Sequence, residues 1–165
     1  MLAATGWLAP LASRVLRFLD TGTYRSAGSF LLHGYAYLPL RTPDDCSVYL
    51  RVPDVRVLTA WPVRAPQVVL TMAGTTTLET YQDSDDARAG RAQYARTFDA
   101  GEFFAVHPGT LCATRGTVTT VQVLAVTEPV AGRGRPLSGE VYTRFARRAR
   151  RQLEQASLTR VGGPC

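Results

Sequence analysis

The sequence predicts a mainly β domain, a barrel or sandwich of short strands with a short helix before it and an arginine-rich helix after it. Three observations lead there. Runs of β-branched and aromatic residues alternate with polar ones. Prolines and glycines punctuate those runs at short intervals. Helical spacing is confined to the two ends. At 165 residues, 45% hydrophobic and 19% charged, the chain can bury a core without disulfide or metal staples.

At the start, Trp7, Leu8, Leu11, Val15, Phe18 and Leu19 fall near helical spacing, with Arg14 and Arg17 on another face. Asp20, Thr21 and Gly22 end the pattern, giving an N-terminal helical segment over 1–22. The apolar stretch from Met1 to Ala12 has no positive residue before it and contains Pro10, which argues against a secretory signal. Residues 23–131 then read as the β domain. Phe30 to Leu40 is a strand with Gly34 inside it. Val48, Leu50, Val52 and then Val55 and Val57 alternate with polar residues such as Arg51 and Arg56, a period of two. Val68 to Gly74, Thr75 to Tyr81, Phe103 to Val106 and Val118 to Val126 complete the strand set. Gln82 to Gly90 is acidic and small, a solvated loop at a hairpin tip. Its aspartates Asp83, Asp85 and Asp86 lack the closing Glu of a calcium loop. Residues 132–165 form a linker, Gly132 to Pro136, and a basic helix. That helix has Ser138 as cap and an apolar stripe of Val141, Phe145, Ala149, Leu153 and Ala156.

Charge is distributed unevenly. Residues 1–132 hold 11 Arg and 11 acidic residues, whereas 133–165 hold 8 Arg and 2 Glu, so the tail carries the whole net charge of +6. Arg144, Arg147, Arg148, Arg150 and Arg151 group on one side of the expected helix, a face suited to nucleic acid, another polyanion or an acidic partner protein. Lys, Ile and Asn are absent, as a GC-rich coding sequence would give. Cys46, Cys112 and Cys165 form no CxxC pair and are too scattered for a disulfide framework, which fits a reducing compartment. No apolar run approaches the roughly 20 residues of a membrane span. A cytoplasmic or virion-associated protein is expected.

Sequence patterns for phosphate loops (GxxxxGK[ST]), nucleophile elbows (GxSxG) and zinc proteases (HExxH) are missing. A Cys–His pair, Cys112 with His33 or His107, is the sharpest catalytic candidate, and it would need hydrogen-bond reach and an oxyanion site. Trp61, Tyr81, Phe103, Tyr35 and Tyr37 are candidates to line an interior pocket or simply to fill the core.

From Gly101 to Cys112 the chain runs glycine, strand, Pro108-Gly109 turn and a second strand. This spacing resembles the second motif of the cupin family, with His107 at the family's proline and Cys112 at its metal-binding histidine. Counted back from Gly74, the first motif's ligand positions fall on Trp61, Val63 and Gln67. The likeness implies a cupin-like or jelly-roll double-stranded β-helix over roughly 48–127, with the metal ligands replaced. It therefore implies no metal and no cofactor. It also implies an oligomer by analogy, and marks Trp61, Gln67, Tyr81, Phe103, His107 and Cys112 as candidate ligand-binding residues. The expected function is a non-catalytic structural or interaction module that assembles with itself or a partner protein, a virion or assembly component being one such case. The alternatives are a metal-free small-molecule binder or isomerase-type enzyme, and a polyanion or nucleic-acid binder acting through the Arg-rich tail.

Overall fold

A computed structural model describes residues 8–20, 28–40, 47–54, 59–128, 130 and 134–161. In chain order the elements are α1 (Leu8–Asp20), β1 (Phe30–Leu32), β2 (Tyr35–Leu40), β3 (Ser47–Pro53), β4 (Trp61–Pro62), β5 (Gln67–Ala73) and β6 (Thr75–Tyr81). There follow α2 (Ser84–Ala89), β7 (Tyr94–Asp99), β8 (Phe103–Val106), β9 (Leu111–Gly116), β10 (Val121–Val126), β11 (Arg135–Pro136) and α3 (Gly139–Val161).

The strands form two antiparallel sheets, one of seven strands in the order β11-β1-β2-β3-β10-β5-β8 and one of four in the order β4-β9-β6-β7. The two ladders are separate, so the container is a sandwich and not a closed barrel. The chain passes from one sheet to the other through a single residue, Gly74, between β5 and β6. Its φ is +66°, and a Cβ there would lie 2.9 Å from the backbone of Thr119, so glycine is required on both counts.

Period-two alternation gives the seven-stranded sheet two buried faces. Ala36, Leu38, Leu50, Val52, Leu70 and Met72 point to one side and pack against α1 and α3. Tyr35, Tyr37, Tyr49, Val69, Leu124 and Val126 point to the other and meet the four-stranded sheet. The molecule therefore has three layers: helices, large sheet, small sheet. On α3, Phe145, Ala149 and Leu153 are buried with Tyr142 and Ala146, while Val141 and Ala156 are partly covered. The expected apolar stripe docks on the sheet, and α1 packs beside α3. Backbone Val141 donates to Ser138 Oγ at 3.4 Å, which places Ser138 at the helix start as expected.

Several elements differ from the sequence reading. Phe30 to Leu40 is not one strand but a hairpin, because His33 and Gly34 both adopt positive φ, 50° and 78°. Two such residues make the type I′ turn that matches strand twist. The acidic segment 82–90 is not simply a loop: Asp83 accepts from the backbone of Asp85 and Asp86 and caps the short helix α2. Val118 lies in the exposed turn between β9 and β10 and not in a strand. Arg135 and Pro136, within the expected linker, pair with β1. The expected strand residues Val55 and Val57, and Cys46 and Cys165, lie outside the described residues.

Candidate functional site

Arg51 occupies the middle of the sandwich. Register places Phe30, Tyr37, Arg51, Gln122 and Thr71 opposite one another in a row across β1, β2, β3, β10 and β5, all facing the small sheet. Arg51 is fully buried, with none of its surface exposed. Its Nη2 donates to Thr114 Oγ1 on β9 at 2.8 Å, and its guanidinium lies 4.0 Å from the ring centre of Tyr35, 5.3 Å from Tyr37 and 5.8 Å from Trp61. Beside it, Gln122 Nε2 donates to Thr76 Oγ1 at 2.7 Å and Thr71 Oγ1 donates to the same oxygen at 3.0 Å. Tyr35 donates its hydroxyl to the Thr114 carbonyl at 3.0 Å. The two sheets are thus joined by a polar band inside an otherwise apolar interior.

That band is incomplete. Arg51 Nε and Nη1 and Gln122 Oε1 are buried without a hydrogen-bond partner among the described residues. A guanidinium cannot shed its proton to escape burial, and removing an ion from water costs several kcal/mol unless a counter-charge or full hydrogen bonding offsets it. Three aromatic faces supply part of that offset, about 0.5–2 kcal/mol each where the pair is desolvated. Three titratable groups near Arg51 are neutral at pH 7. His33 is pushed down to about 4, by burial first and then by the Arg51 charge. Cys112 is pushed up to about 11 by burial, against the pull of Arg51. Burial also raises the Tyr37 phenol, with Arg51 again opposing.

A cleft of about 70 Å³ opens at this end of the sandwich, lined by His33, Tyr37, Trp61, Val63, Gln67 and Val126 among others. His33 stacks on Trp61 with ring centres 4.7 Å apart and planes 11° apart. Arg64 and Glu128 stand at the cleft's exposed rim. Two of the rings that contact the Arg51 guanidinium, Tyr37 and Trp61, are therefore also cleft walls.

Of the residues singled out from sequence, the structure brings Trp61, Val63, Gln67 and Cys112 to one end of the sandwich. Trp61 and Cys112 are paired across β4 and β9, the Val63 N–H donates to the Thr110 carbonyl in the turn before β9, and Gln67 shares the cleft with Trp61 and Val63. His107 sits on the exposed turn before β9, next to a shallow apolar groove of Pro66, Val68 and Ala105. Phe103, expected in the interior, is 65% exposed. Tyr81 is buried but faces away from the interior, where its hydroxyl donates to Glu79 Oε2, which also accepts from Arg115 at 2.8 Å. On α3, Arg144, Arg147 and Arg151 are exposed, Arg150 pairs with Glu154 at 2.8 Å, and Arg148 donates to the Pro53 carbonyl. Among the described residues no three His, Cys, Asp or Glu side chains stand together as a metal site, and no helix is long and apolar enough to cross a membrane.

The fold is similar to solved structures with the cupin double-stranded β-helix. A RmlC-like cupin protein from Methanocaldococcus jannaschii shares 10% identity over 59% of this chain and 83% of its own, with a TM-score of 0.42. The DMSP lyase DddQ from Ruegeria pomeroyi shares 13% identity over 64% of this chain and 54% of its own, with a TM-score of 0.44. Drosophila melanogaster CENP-C, solved bound to CAL1, shares 15% identity over 71% of this chain and 94% of its own, also at 0.44. No family model and no curated protein matches the sequence.

With a pKa near 11, Cys112 keeps its proton at neutral pH and is a poor nucleophile. Half-buried His33, neutral down to about pH 4, is a stacking partner for Trp61. Arg51, the strongest functional candidate, was marked in the sequence only as the polar member of an alternating strand.

Proposed function

We propose that this chain is a non-catalytic β-sandwich module that binds a small molecule in the cleft walled by His33, Tyr37 and Trp61. The observation that carries this reading is Arg51, a fully buried charge with unpartnered Nε and Nη1 directly behind two walls of the cleft. A buried polar network with open valences is costly for a part that only holds the fold together, and a ligand that packs against the Tyr37 and Trp61 rings in front of it would stabilise the folded state. The test is titration of isotope-labelled protein with two- to four-carbon acids, amides and alcohols, read at the Trp61 indole N–H. At least one class should shift that resonance saturably, and Val130→Phe, which fills the partly exposed cleft rim, should abolish the shift. No response to any class would refute the reading.

A second reading, association with a macromolecular partner or another copy, has its own observations. At the β8 edge of the seven-stranded sheet, β8 presents Phe103 at 65% and β5 presents Val68 at 44% exposure, diagonal to each other across the ladder on the face that carries the helices elsewhere. Unpaired edges with exposed apolar residues favour association. Light scattering should then show an oligomer that Phe103→Arg dissociates. The exposed arginines Arg144, Arg147 and Arg151 favour a polyanion as partner. Replacing all three by Gln should lower the salt concentration at which the protein leaves heparin.

A further inference from the structure

We infer that the outer surface of the helical layer, formed by α1 and α3, docks on double-stranded nucleic acid, its arginines pairing with backbone phosphates. This rests on the exposed α3 arginines binding a polyanion; it names that polyanion and adds α1 to the surface.

Charge pairing sets this surface apart. Around the small sheet the arginines are neutralised: Arg88 pairs with Asp85, Arg91 with Asp86, Arg96 with Glu102 and Arg115 with Glu79. On the helices, exposed Arg14, Arg17, Arg144, Arg147 and Arg151 form no salt bridge among the described residues, whereas Arg150 pairs with Glu154. Glu140, one turn before Arg144, is the unpaired acid exposed there, so five positive charges face one negative. Arg64 and Arg135 are also without a salt bridge but lie apart, between β4 and β5 and in β11. Helices α1 and α3 cover the same face of the large sheet and pack beside each other, so their outward sides form one surface. On α3, Arg144, Arg147 and Arg151 fall at i, i+3 and i+7, opposite the docked Phe145, Ala149 and Leu153. They span about 10 Å of axis, the rise of about three phosphates of one strand at about 3.4 Å each. Arg14 and Arg17 stand at i and i+3 on α1 and add to the same field.

The remaining side chains of the surface select among anions. A protein partner is anchored by aromatic and apolar residues at the centre of its interface. The large hydrophobic residues exposed among those described, Val68, Tyr94, Phe103 and Val118, all lie on strands or turns outside α1 and α3. A lipid surface takes up the apolar side of a helix, and that side of α3 is already packed on the sheet. A single strand is held by rings on which its bases stack, and the exposed rings, Tyr94 and Phe103, are again elsewhere. A duplex carries its phosphates outside and needs neither insertion nor stacking, and guanidinium forks match phosphate oxygens. Gripped by its backbone alone, it is held irrespective of base sequence.

In the experiment the full chain is titrated into fluorescein-labelled duplexes of about 20 base pairs, roughly two helical turns, of two unrelated DNA sequences and one RNA. Anisotropy is read at several chloride concentrations. The two DNA sequences should bind within about threefold of each other. For the wild type, log K should fall linearly with log salt, with a slope of about −4 to −5 for five phosphates. Arg144→Gln with Arg147→Gln should reduce that slope by about two and weaken both sequences equally, and Arg14→Gln with Arg17→Gln should do the same. Arg88→Gln with Arg91→Gln removes the same net charge from the small-sheet side and should leave binding unchanged. Binding of either the DNA or the RNA duplex supports the inference, and the tighter one names the source. Equal loss in the Arg88 and Arg91 variant would overturn the helical layer as the surface. Tighter binding of oligo-dT, polyglutamate or phosphatidylserine vesicles would overturn the duplex while leaving a polyanion surface intact. Retention on heparin without duplex binding would do likewise, and loss of both would overturn the polyanion reading as well.

Discussion

His33 illustrates how much one side chain can decide. It fills the first position of a two-residue turn, in a left-handed conformation that most side chains avoid but Asn, Asp and His tolerate best. It also stacks on Trp61. Its pKa is about 4 in the fold and near 6.5 when unfolded, so between those values the unfolded chain binds the extra proton. The His33 contribution to stability should therefore fall as pH drops from about 6.5 to about 4, and level off below. Allowing for solvent screening of a half-buried ring, the loss is about 1–2 kcal/mol. His33→Asn keeps the turn geometry, so urea midpoints at pH 7 and pH 4.5 should draw closer in that variant than in the wild type. Cys112 gives a second residue-scale expectation. Fully buried and with its pKa near 11, it should react with iodoacetamide at pH 8 at least a hundredfold more slowly in the native protein than in urea.

At the scale of elements, the joints are the sensitive places. Gly74→Ala meets both a positive φ and the Thr119 backbone, and should lower the unfolding free energy by about 2 kcal/mol or more in urea titration. On α3, Phe145→Ala removes a ring buried against the sheet and should cost about 3–5 kcal/mol by the same measurement, with Arg147→Ala near zero. These elements were legible to different degrees. The stripe Val141, Phe145, Ala149, Leu153 is periodic over four turns, and its docking could be read directly. The hairpin at His33-Gly34 was hidden because aromatic and aliphatic residues flank it on both sides and His replaces the usual Asn before Gly. Arg51 was hidden for a deeper reason. Alternation in β3 shows which residues share a face, but only the second sheet, assembled from β4, β6, β7 and β9, makes the polar face an interior one. Motif spacing put Trp61 and Cys112 each at a ligand position of the cupin-like pattern, and the pairing of β4 with β9 brings them together, whereas the exposure of Phe103 depends on β8 being an edge strand.

The whole molecule couples these parts through its layers. Helices α1 and α3 cover one face of the large sheet, so α3 is part of the core although it carries most of the net charge. A chain ending before Leu137 should lose cooperative unfolding and expose the Leu38–Leu50–Met72 surface, which dye binding and light scattering would detect. The polar band sets the opposite relation. The Arg51, Tyr35, Gln122 and Thr71 bonds to Thr114 and Thr76 tether the two sheets within an otherwise apolar interior. Gly74 adds an asymmetry to this tether. One residue, two peptide steps of about 3.8 Å between neighbouring Cα atoms, joins β5 to β6 at that end. Gln67, at the far end of β5, lies about 23 Å away at the usual rise of a strand. The two layers are therefore bound tightly at one end and more loosely at the other. There the connections from β4 to β5 and from β8 to β9 span four residues each, against one at Gly74, and an imidazole rests on an indole like a clasp over the slacker seam.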